Sequence, residues 1–215
     1  MLLGVAFVAV TTARRLLRRP VFSTIRSPDG KLLIRLKGDP TRPLTPIIDH
    51  SVYFDLLDND QPVVVDKYLH WGDWFDPSFN DSYRQHDWVT SSVLRFSWES
   101  VAATKCDRLL VQIDTKKPIT YLYIESKDLF LVFNPEPGSQ FTLCAFPQSW
   151  KSSLSWIEVE GEFADGQAIP WKGTNFIIDS GAGPFEYQIS ITPDGPRISS
   201  SQLPEYYPKH TVGHN

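Results

Sequence analysis

Three glutamates spaced two apart, Glu158, Glu160 and Glu162 in WIEVEGEF (156–163), have the spacing that acid–base chemistry could use. On a strand they would share one face at intervals of roughly 6.6–7 Å. Carboxylate pairs in glycoside hydrolysis stand roughly 5–5.5 Å apart in retaining enzymes and roughly 6.5–9.5 Å apart in inverting ones. Alternating Glu on a wet strand face also arises with no function at all, which is the plainer expectation. A second concentration is LHWGDWFDPSFNDSYRQHDW (69–88), with two His, four Asp, three Trp, two Phe and a Tyr. His70 and His86 with Asp73, Asp76, Asp81 and Asp87 could grip a ligand or an ion. The spacing matches neither H-E-x-x-H nor the alternating carboxylates and Gly of a calcium loop, so no metal is expected. The ligand-binding candidates are His70, Trp71, Asp73, Trp74, Asp76 and His86. The competing expectation, which the composition favours, is an ordered loop. Trp71, Trp74, Phe75 and Phe79 would then pack onto the body while the Asp residues make Asx-turns.

Other chemistries lack their signatures. IDSGAG (178–183) places Ser180 after a strand but without the first Gly of a nucleophile elbow. Neither a Walker A loop nor G-x-G-x-x-G is present, so phosphate and dinucleotide sites are set aside and no cofactor is expected. Seven Trp stand at 71, 74, 88, 98, 150, 156 and 171. Exposed Trp on a β-sandwich stacks on the apolar faces of sugars, and Trp71, Trp74 and Trp156 are the surface candidates. Asn80-Asp81-Ser82 is a formal glycosylation sequon.

The elements that would position these residues are strands. VFSTIR (21–26) and KLLIRLKG (31–38) flank Ser-Pro-Asp-Gly, where Pro presets φ and Gly accepts a positive value. SVYFDLL (51–57) and PVVVDKY (62–68) flank a second turn, and SVLRFSW (92–98) follows the aromatic stretch. DRLLVQID (107–114), ITYLYIES (119–126), LFLVF (129–133) and QFTLCAF (140–146) come at short intervals. SWIEVEGEF (155–163) and FEYQISI (185–191) alternate apolar and polar, as antiparallel strands with one buried face do. After residue 20 no helical stripe appears. A propeller would need self-similar blades of about 40 residues, and there are none.

Hydrophobic residues make up 41% and charged residues 21%, an ordinary balance for a chain that buries a core. The net charge of −4 conceals Arg14, Arg15, Arg18 and Arg19 in an acid-free leader. Beyond residue 20, 17 basic side chains face 25 acidic ones, a net −8. Such a body lacks the basic footprint of a nucleic-acid binder. The run Leu2 to Val10 is about half the length of a spanning helix and suits a signal h-region or an anchor. Its arginines follow rather than precede the apolar run, so a late start or a transit peptide also fits. Residues 1–20 are therefore read as a short helical signal or anchor segment with membrane association. Cys106 and Cys144 show no zinc spacing. Spacing leaves their pairing open, and two separate buried thiols are the favoured expectation.

The run TKKPITYLYIESKDLFLVFNPEPGSQFTL (115–143) resembles the strand–strand–Pro-Gly–strand pattern of bacterial extracytoplasmic immunoglobulin-like domains. SPDGKLLIRL (27–36) is similar to the opening of many extracytoplasmic β-proteins and of propeller blades, and HDWVTSSVLRF (86–96) resembles the Trp-turn-strand pattern that often follows such an opening. WIEVEGEF looks like the E-x-D-x-E strand of jelly-roll glucanases, with Glu160 in place of the Asp. These resemblances imply an all-β protein: an antiparallel, immunoglobulin-like β-sandwich. The expected divisions are 1–20 as the leader, 21–104 as a β-rich part, 105–200 as the sandwich and 201–215 as a loose tail. The expected role is a non-catalytic extracytoplasmic binding or interaction module, secreted or membrane-anchored, with a protein or glycan partner. The alternative is a glycan-binding or glycan-cleaving protein using Glu158, Glu160 and Glu162.

Overall fold

The computed structural model describes residues 19–38, 51–71, 85–97, 105–126, 128–145, 154–177, 185–202 and 207–208, and every regular element among them is a strand. The segment 1–18, where the signal or anchor is expected, lies outside them. The chain divides into two compact units, Met1–Tyr83 and Arg84–Asn215.

The first unit is an antiparallel meander of β1 (Val21–Arg26), β2 (Leu32–Lys37), β3 (Ser51–Asp58) and β4 (Gln61–Trp71), paired in sequence order. Its turns follow from their residues. Ser27 Oγ donates to Asp29 Oδ1 at 2.6 Å, the Gly30 amide closes onto the Ser27 carbonyl at 2.9 Å, and Gly30 takes φ +77°. Between β3 and β4, Asn59 and Asp60 both adopt positive φ, the requirement of a type I′ hairpin whose twist matches that of its strands. Ile34, Leu36, Phe54, Leu56 and Val64 are buried. They alternate with the polar residues Arg35, Lys37, Tyr53 and Asp55, which share the opposite face with the buried pair Leu33 and Leu57.

The second unit is a β-sandwich. One sheet runs β12-β11-β8-β9-β6-β5, antiparallel throughout. Its strands are β5 (Gln85–Thr90), β6 (Val93–Ser97), β8 (Ile119–Glu125), β9 (Leu129–Phe133), β11 (Leu154–Phe163) and β12 (Ala168–Ile177). The other runs β10-β7-β13-β14, from β7 (Lys105–Ile113), β10 (Gln140–Ala145), β13 (Phe185–Thr192) and β14 (Gly195–Gln202). The two-residue β15 (Tyr207–Pro208) adds to β7. β7 and β13 run parallel. Leu122, Ile124, Phe130 and Val132 from the first sheet meet Leu109, Val111, Ile189 and Ile191 from the second in one buried cluster.

Three features depart from expectation. The division falls between Tyr83 and Arg84 rather than near residue 104, because β5 and β6 hydrogen-bond into the sheet that holds β8 and β9. Cys106 and Cys144 form a disulfide with α-carbons 5.5 Å apart, not two separate thiols. The intervening β8 and β9 belong to the opposite sheet, which leaves β7 and β10 as neighbours. Lastly, the middle of the six-stranded sheet is buried on both faces. Leu94, Leu129, Leu131 and Phe133 point away from the inter-sheet core and are fully buried too. That is why LFLVF reads as an unbroken apolar run while β11 alternates.

Candidate functional site

Register builds the outer face of the six-stranded sheet. Ile157, Val159 and Phe163 of β11 enter the core, which turns Glu158, Glu160 and Glu162 outward as the alternation requires. Across the ladder to β8, Glu158 stands opposite Glu125, Glu160 opposite Tyr123 and Glu162 opposite Tyr121. Tyr123 donates its hydroxyl to Glu125 Oε2, and both residues are buried. Burial raises the pKa of both phenols well above the ordinary tyrosine value. Glu162 and Glu160 add to the effect at Tyr121, and Glu125 leads the carboxylates that add to it at Tyr123. Both hydroxyls therefore remain protonated and able to donate at neutral pH.

On the far side of β11, the edge strand β12 carries a β-bulge. Ile169 pairs with Gly161 and Lys172 with Val159, so Pro170 and Trp171 together oppose Glu160. A bulge re-aims a side chain, and an edge strand tolerates the proline. Trp171 is 60% exposed. Its ring lies across Gly173: a Cβ added there would meet Cζ2 at 2.5 Å and Cη2 at 2.9 Å. The Trp171 indole N–H points to Glu158 Oε2 at 3.4 Å. The result is a large aromatic surface lying along the sheet beside the Glu158 carboxylate.

Both ends of the 69–88 stretch lie in strands. His70 and Trp71 pair through their backbones with Val52 and Ser51 as the end of β4, in the first unit. Gln85 to Trp88 belong to β5, in the second. Asp73, Trp74 and Asp76 lie outside the described residues, as does the sequon. His86 packs at 6.2 Å against Phe96, and Trp88 at 6.2 Å against Phe133. Burial holds the His86 imidazole below its ordinary pKa, with the Asp87 charge pulling the other way. Asp87 itself binds Arg95 in a two-point fork, with Nε–Oδ1 at 2.9 Å and Nη2–Oδ2 at 3.1 Å. Among the described residues no three His, Cys, Asp or Glu side chains are grouped as a metal would require.

Trp171 is the residue that sequence reasoning passed over. The signal available was W-x-G on a strand facing three glutamates, but β12 itself went unread. Comparison of the chain with protein-family models, with curated proteins and with solved structures finds no match.

Proposed function

We propose that the protein is a non-catalytic, extracytoplasmic binding or interaction module whose contact surface is the outer face of β11 and β12, centred on Trp171. The carrying observation is the bulge that turns Trp171 outward and lays it over Gly173 beside Glu158. A flat exposed indole with flanking acceptors suits the apolar face and hydroxyls of a sugar ring, which makes a glycan the first ligand to try. An immunoglobulin-like type is part of the proposal. Its support is the Pro135-to-Gly138 turn that carries the chain from β9 in one sheet to β10 in the other. The disulfide departs from that type by joining two strands of one sheet. Extracytoplasmic placement rests on this bond and on the apolar, Arg-flanked leader.

Titration of a soluble oligosaccharide panel against tryptophan fluorescence tests the binding reading. Trp171→Ala should weaken any binding by tenfold or more, the scale of an aromatic anchor, about 1.4 kcal/mol. A ligand that binds Trp171→Ala as tightly as the parent would move the site elsewhere. A glycan-cleaving reading is favoured by one feature. Glu158 and Glu125 are directly opposed across the ladder, which sets two carboxylates on one face of the sheet. Release of reducing ends, abolished in both Glu158→Gln and Glu125→Gln, would establish it. Binding that persists in both variants without any product supports the module.

A further inference from the structure

We propose that Gly195, on the opposite sheet, is a positioning residue for the Trp171 contact surface. Its missing side chain seats Pro170, and the seated proline fixes the direction in which Trp171 leaves the strand. This role rests on the reading of Trp171 as the contact residue. Among the described residues β12 ends one sheet and β14 the other, and the two strands pack together. A Cβ added to Gly195 would meet Pro170 Cγ at 2.8 Å and Cδ at 3.5 Å, so the proline ring takes the space that any other residue would fill. Gly195 is buried and adopts φ +116°, which also favours glycine. Two hydrogen bonds make the seat firm. The Thr192 hydroxyl donates to the Gly195 carbonyl at 2.7 Å, and the Asp194 amide donates to Thr192 Oγ1 at 3.3 Å. Ile189 and Ile191, just ahead of this turn, lie in the inter-sheet core.

The proline passes this seat on to the indole because the two are consecutive in the bulge. Pro170 and Trp171 together oppose Glu160. The pyrrolidine ring locks its own φ, and the peptide that follows is planar, so only ψ is soft between the seated ring and the Trp171 nitrogen. Three consecutive residues are thus held at three places: Ile169 in the core, Pro170 on Gly195, and Trp171 across Gly173. A ring already held in its binding pose is spared the ordering that contact would otherwise impose, which corresponds to roughly two- to tenfold in affinity.

The test reads the Trp171 indole N–H by NMR in the full chain, assigned by its loss in Trp171→Phe, and needs no ligand. In Pro170→Ala the protein should stay folded while the indole order parameter falls from the rigid range, about 0.85, to below about 0.6. Gly195→Ala should displace the indole resonance of the parent, but in the Pro170→Ala background should leave it where Pro170→Ala alone puts it. Gly138 also has positive φ, and a Cβ there would meet nothing within 4 Å. Gly138→Ala therefore adds backbone strain without the proline contact and should leave the resonance in place. The positioning role is overturned if folded Pro170→Ala keeps the parent's indole position and order, or if Gly195→Ala moves the resonance equally in both backgrounds. It is equally overturned if Gly138→Ala moves the resonance as far as Gly195→Ala does. Should Gly195→Ala not fold, Pro170→Ala decides alone. An oligosaccharide panel in which nothing binds would sink the contact reading, and these spectra would still decide the role of Gly195.

Discussion

In the first unit Lys37 sits between two carboxylates, with Nζ 2.6 Å from Asp55 Oδ1 and 2.5 Å from Asp66 Oδ1. Arg19 adds a 3.6 Å contact to Asp66 and lies 3.4 Å over the Tyr53 ring, and the Asp66 amide donates to Asp55 at 2.9 Å. In the second unit Glu158, Glu160 and Glu162 stand in a row of one sign, facing tyrosines and a glutamate across the ladder, with Trp171 exposed beside them. The polar face of the first sheet is an interlocked set of opposite charges, drawn together by a β4 bulge in which Asp66 takes φ +54°. Charges that neutralise one another on neighbouring strands are occupied in holding the sheet. In the second unit the exposed ring of Trp171 marks the face, and contact with a ligand is sought there.

The comparison can be broken or sharpened at several points. Reduction of Cys106–Cys144 opens a 38-residue loop and should cost the second unit about 3–4 kcal/mol on the loop-entropy scale. Denaturant-dependent exchange should show that loss in β7 to β14, whereas an equal loss in β1 to β4 would merge the two units into one. Gly161→Ala comes next. Its Cβ would meet the Tyr121 carbonyl oxygen at 2.4 Å, so backbone must move, at about 1–3 kcal/mol. Gly173→Ala meets only the movable Trp171 ring, so it should shift indole emission with a stability change within about 0.5 kcal/mol. Lys37→Met, which strips a cation from the buried Asp55, should cost about 1–3 kcal/mol. Glu158→Gln should stay within about 0.5 kcal/mol, and a larger loss would mean that the second face is interlocked as well.

A further weak effect is expected in acid. The Lys37 hydrogen bond leads the interactions that hold Asp66 below the ordinary carboxylate range, against the opposing pull of burial. A depressed folded-state pKa stabilises above the unfolded value, so its contribution is lost as pH falls below about 4. Asp66 is exposed and solvent-screened, and this contribution should stay within about 1 kcal/mol. Asp66→Asn should flatten the acid limb of the melting curve for the first unit. An unchanged limb would show that the pair adds no stability.

Most strands could be read directly from the chain, and the omissions share one cause. VFSTIR and LFLVF match β1 and β9 end for end, and the alternation of SWIEVEGEF placed its glutamates outward as found. The unread strands β12, β14 and β5 are all sheet edges. An edge strand is packed less completely, so its apolar positions thin out. AIPWKGTNFI admits a proline and a glycine, and GPRISSSQ carries three serines in a row. Trp171 was lost with its strand. The disulfide was illegible for another reason: knowing that β7 adjoins β10 requires knowing that β8 and β9 cross to the other sheet.

The parallel alignment of β7 with β13 bears on how the chain matures. Arg108 and its partner Glu186 are separated by the whole of β8 to β12, so β7 cannot complete its second ladder until that stretch has been made. At roughly 5–20 residues per second, a ribosome needs about 4–16 s to synthesise it. β10 emerges near the midpoint, and with it Cys144, so one side of β7 can be zipped and covalently sealed while the other is still bare. During that interval DRLLVQI offers an open edge to any neighbouring nascent chain, and the yield of native protein should fall as translation slows or crowding rises.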